Sequence, residues 1–76
     1  MSKRLPTIRP RQLIRVLEQS GWKLARSKGS HHHFTHPSKP QVISVPVHAR
    51  DMKRGTLAGI LSDAGIGRDE FLRLLK

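Results

Sequence analysis

The sequence predicts a single α+β domain in the order helix, three antiparallel strands, helix and a short final helix. Three observations carry that expectation. Apolar residues recur at helical spacing in "RQLIRVLEQSGW" and again in "GTLAGILSDAG". Between these stretches stand short β-prone runs separated by "KGS" and "PSKP". At 76 residues the chain suffices for one small core.

Residues 1–10, "MSKRLPTIRP", are basic and carry two prolines, so they read as an irregular arm ahead of a domain spanning 11–76. The first helix places Leu13, Ile14 and Leu17 on one face, with Val16 beside them. Gly21 suits the left-handed residue that ends it. Trp22 would then fold back onto Leu17, the contact of a Schellman ending, and is a core residue rather than a base-stacking platform.

"WKLARS" alternates apolar and basic residues imperfectly and reads as the first strand. After the "KGS" turn, "HHHFTH" is the second, and "QVISVPV" the third. Pro46 near its end argues for an edge or a terminus. The next helix aligns Leu57, Ile60, Leu61 and Ala64 and closes at Gly65. The last has Gly67 as its cap, Asp69 and Glu70 in its first turn, and Ile66 set against Phe71 as a staple.

Charge is the strongest bulk signal. Fifteen Lys and Arg against five Asp and Glu give +10, a bias that attracts polyanions, nucleic acid first among them. The cations are spread along the chain rather than gathered on one amphipathic helix, which argues against a membrane-surface role. An acidic protein partner fits the same bias. There is no cysteine, which excludes disulfides and thiolate metal sites. No apolar run reaches bilayer length and no signal-peptide core follows the start, so a cytoplasmic location is expected.

"KGSHHHF" then poses the functional question, with His36 two residues further on. Alternation along a strand puts His32 and His36 on the side of Phe34, and His31, His33 and Thr35 on the other. If Phe34 is core, His31 and His33 look out from the open face, and His31 is reachable just past the turn. Zinc held by His31, His33 and His48 is one reading, without support from a cysteine or a convergent carboxylate. Half-buried structural histidines are another. The third is acid–base chemistry, since imidazole both takes and gives protons near neutral pH, and nearby cations favour its neutral, base-competent form.

A histidine, many cations and no carboxylate pair suit RNA cleavage, because the substrate brings its own nucleophile. The ribose 2′-hydroxyl lies beside the scissile phosphate, so the protein has only to move protons and stabilise negative charge. DNA lacks that hydroxyl and should resist.

These residues resemble a known family. "LIRVLEQSGWKLARSKGSHHHFTHP", "VISVPVH" and "GTLAGILSDAGI", in that order and covering about Arg11 to Leu75, are similar to the HicA toxins of bacterial toxin–antitoxin pairs. The resemblance implies a fold like that of double-stranded-RNA-binding domains, metal-independent mRNA interferase activity with no cofactor, and a HicB-type antitoxin that covers the active face. It also implies that His31, the histidine after the Gly-Ser of the turn, is catalytic.

Supporting contacts to RNA or phosphate are expected from Lys28, Gly29, Ser30, His33 and His48, with His33 mattering less than His31. Lys53, Arg54 and Thr56, with Gly55, stand at a helix start that favours an anion. The family often has proline where Arg54 stands, so the start of that helix is open. Two rivals remain at this stage: an RNA-binding module that does not cut, and a protein-binding module whose charge serves an acidic partner.

Overall fold

In the computed structural model, which describes residues 5–47 and 51–75, α1 runs over Pro10–Gln19. Proline suits the first helical position, where an N–H would lack a partner anyway. Gln12 Oε1 accepts from the Arg9 N–H at 2.9 Å, closing the entry from the other side. At the far end Trp22 N–H donates to the Leu17 carbonyl at 3.0 Å and Gly21 N–H to that of Glu18 at 3.1 Å. That is the expected Schellman ending, with Gly21 at φ 95°.

Three strands follow: β1 (Lys23–Lys28), β2 (His31–His36) and β3 (Lys39–Pro46), antiparallel and in that order across the sheet. Both turns are two residues long. In the first, Gly29 takes φ 59° and no described non-glycine residue has positive φ, the pattern of a type II′ turn. The second, Pro37–Ser38, is shorter than the four residues of "PSKP", so Lys39 and Pro40 already belong to β3. Pro40 is tolerated because β3 is an edge.

The helices α2 (Arg54–Ala64) and α3 (Arg68–Leu75) complete the order. Gly65, at φ 72°, ends α2 with a second Schellman pair, Ile66 N–H to Leu61 and Gly65 N–H to Ser62. All three helices send their apolar residues into one cluster on one side of the sheet. Leu13, Leu17, Trp22, Phe34, Val45, Leu57 and Phe71 are buried there, and Ile66 joins Phe71 as expected of a staple. This is an α+β domain with an open three-stranded sheet, an arrangement compatible with the double-stranded-RNA-binding-domain-like class.

Residues 5–9 are held against this body. Ile8 is buried, its carbonyl accepts from Met52 N–H at 2.7 Å, and the Leu5 carbonyl accepts from Arg54 Nε at 2.8 Å. Among the described residues no helix is long and apolar enough to cross a membrane.

Candidate active site

The outward face of the sheet is built row by row from its pairings. His31 lies opposite Lys28 on β1 and Pro46 on β3; His33 lies between Arg26 and Ser44; Thr35 faces Lys23. Phe34, one residue out of step, is buried and pairs with the buried Ile43 on β3 and with Leu24, which stays half exposed, on β1. His31 is exposed and His33 half-buried, as strand parity requires once Phe34 is core.

The cations reach this face through an irregularity in β1. Leu24 pairs with Phe34 but Arg26 pairs with His33, so Ala25 is an extra residue, a bulge. Strict alternation from Lys23 would have placed Ala25 and Ser27 beside the outward histidines. The bulge puts Arg26 and Lys28 there instead, on the same side as Lys23. The imperfect alternation of "WKLARS" is the trace of this shift.

Ser44 Oγ stands 2.7 Å from His33 Nδ1, a cross-strand hydrogen bond that orients the ring. A hydroxyl donates to a bare ring nitrogen or accepts from a protonated one, so the bond survives either state. The turn below is equally fixed. Ser30 gives its carbonyl to Val47 N–H at 2.6 Å, extending the ladder past His31. A Cβ on Gly29 would meet nothing, so only its backbone angle demands glycine there.

The other two histidines of the run do different work. Ser38 N–H donates to His36 Nδ1 at 3.0 Å, which leaves Nε2 to carry the proton given to the Ser20 carbonyl at 3.1 Å. The ring also meets Trp22 edge-on, 5.2 Å between centroids. His36 is therefore a structural tie. His32 points to the inner side and, with Arg9, Pro10, Arg11, Gln12, Ile14 and Val47, lines a cleft of about 480 Å³. Arg9 and Arg11 were unremarkable in the sequence; only the fold gathers them beside a histidine.

The α2 start belongs to the helix layer, whose apolar residues join the core cluster. Lys53 precedes the helix with an extended backbone and no side-chain cap, and Arg54 holds the Leu5 carbonyl. Gly55 and Thr56 are exposed. His48 lies outside the described residues. Among those described, no group of three His, Cys, Asp or Glu is arranged to hold a metal ion.

No curated protein matches the chain. The family described as "HicA toxin of bacterial toxin-antitoxin" matches over residues 10–66, which takes in α1, the whole sheet with its outward histidines, and α2. The chain belongs to the HicA toxin family, and is a toxin of the toxin–antitoxin type.

Proposed function

We propose that this toxin is a metal-independent endoribonuclease, an mRNA interferase that stops translation and growth by cutting RNA with His31. The observation that carries this reading is the placement of an exposed imidazole opposite Lys28, on a face that also receives Lys23 and Arg26. The cations draw in the phosphate backbone and stabilise the charge that grows on the phosphate during attack. The imidazole takes the 2′-hydroxyl proton.

Lys28, Gly29 and Ser30 shape and charge the approach to His31. His33 faces the same substrate, and Lys53, Arg54, Thr56 and His48 contact RNA further along. A HicB-type antitoxin neutralises the toxin by covering the His31 face, and a cytoplasmic location follows from an mRNA substrate.

Purified protein with end-labelled RNA tests this directly. Cleavage is expected of RNA and absent for the same sequence carrying 2′-deoxy sugars. RNA that is bound but left whole would instead make the protein a double-stranded-RNA-binding module without catalysis.

A further inference from the structure

Cleavage at a ribose phosphodiester needs two proton transfers, and the proposed role of His31 accounts for one. The nucleophile loses a proton, and the departing 5′-oxygen needs one, because an alkoxide is a poor leaving group. Water can supply the second proton, but a positioned acid does so faster, by about 10²–10⁴-fold. The outward face holds a second imidazole suited to the task.

His33 is two residues from His31 on the same strand and the same side, so their Cα atoms are separated by about 7 Å. Two imidazoles at that spacing can flank one phosphodiester, whose attacking and leaving oxygens lie on opposite sides of phosphorus. The Ser44 hydroxyl engages His33 Nδ1 at 2.7 Å, which leaves Nε2 as the nitrogen available to substrate. Among the described residues, the charged and titratable groups that these pairings bring to this face are Lys23, Arg26 and Lys28 from β1 and His31 from β2; Ser44 from β3 is neutral. No carboxylate stands in these cross-strand rows to do the work instead.

We propose that His33 is the general acid of this toxin, giving its Nε2 proton to the departing 5′-oxygen, with Ser44 as its positioning residue. The inference rests on the ribonuclease reading above. The 2′-oxygen–phosphorus bond forms as the phosphorus–5′-oxygen bond breaks. His31 receives the 2′-hydroxyl proton and His33 releases one to the 5′-oxygen. The products are a 2′,3′-cyclic phosphate end and a 5′-hydroxyl end. The two rings have then exchanged protonation states and reset through solvent.

The test uses two matched RNA substrates, one normal and one with sulfur in place of the bridging 5′-oxygen at the cleavage site. A thiolate leaves without being protonated. His33→Ala and His33→Gln should cut the normal RNA about 10²-fold more slowly than the parent, the low end for loss of a general acid, and cut the sulfur substrate at the parent's rate. His31→Ala should stay slow on both. Ser44→Ala should show a smaller form of the His33 defect, and Ser44→Thr, which keeps the hydroxyl, should restore the rate.

A His33 defect equal on the two substrates would make His33 a binding or structural residue and overturn the assignment. Parental rates in both His33 variants would do the same, as would rescue of His31→Ala by the sulfur substrate. Failure of the underlying ribonuclease reading looks different: the parent protein leaves normal RNA intact, or His31→Ala cuts as fast as the parent.

Discussion

His36 Nε2 donates to the Ser20 carbonyl across 3.1 Å, tying the end of β2 to the end of α1. Lys39 does the same for the other long helix, its Nζ giving a 2.8 Å bond to the Ala64 carbonyl. Gln41 adds a bond to the Asp63 carbonyl at 2.8 Å. Side chains flanking one tight turn thus satisfy the carbonyl ends of two helices, where cations and donors are favoured. His31 sits at the opposite end of β2 from this clamp.

Gly21 is the partner that makes the tie possible. A Cβ there would stand 2.7 Å from His36 Nε2, at a φ of 95°. Gly21→Ala is expected to destabilise the fold by at least the 1–2 kcal/mol (about) that left-handed backbone costs other residues. His36→Ala loses the Ser20 bond and the Trp22 contact, and relieves the clash. Thermal melts of the two single variants and the double should show less than additive loss, a coupling of about 0.5–3 kcal/mol for residues in contact. Strict additivity would mean that the two positions do not meet.

Replacing His31 should separate chemistry from folding. His31→Ala is expected to lose about 10²–10⁴-fold in RNA cleavage, the usual worth of one acid–base group, and to lose growth inhibition. Its melting temperature and RNA affinity should stay close to the parent's, because exposed positions contribute little to the core. Undiminished cleavage by the variant would remove His31 from the reaction.

Chelation should change nothing. Cleavage and the melting temperature are expected to persist in excess EDTA, since a zinc site needs a converging set of ligands and the described residues offer no such group. Loss of both together would restore the histidine-metal reading.

The charged face should govern both binding and rate. RNA affinity is expected to fall steeply with salt as counterion release is lost. Lys28→Ala, opposite His31, should lower the cleavage rate, whereas Arg4→Ala should affect binding at most. The antitoxin should compete with RNA for this face. Titrating antitoxin into His31→Ala bound to RNA checks it, and a ternary complex with undiminished RNA affinity would place inhibition elsewhere.

Much of this fold could be read along the chain because its signals are local. The Gly21–Trp22 ending depends on residues five apart, and the outward placement of His31 and His33 follows from Phe34 being core. What escaped the sequence depends on partners far along it. His36 is structural because of a carbonyl 16 positions back, and His33 is oriented by a serine 11 positions ahead. Ile8, placed in the basic arm, is buried through contact with the segment around Met52. Arg9 and Arg11 meet His32 only once α1 lies beside the sheet.

Ala25 is the least conspicuous residue of β1, yet it sets the strand's reading frame. Before it, odd-numbered positions face outward; after it, even-numbered ones do. Deleting Ala25 would leave the formal charge of +10 untouched and remove the extra residue, so that Lys23, Leu24, Arg26, Ser27 and Lys28 alternate strictly and keep their partners on β2, with Arg26 and Lys28 still outward. Such a protein would have the same ions in the same order, pointed the same way, but without the local bend and twist of the bulge. It separates what the shape of the strand contributes from what its charges contribute, a distinction that no single lysine or arginine replacement can draw.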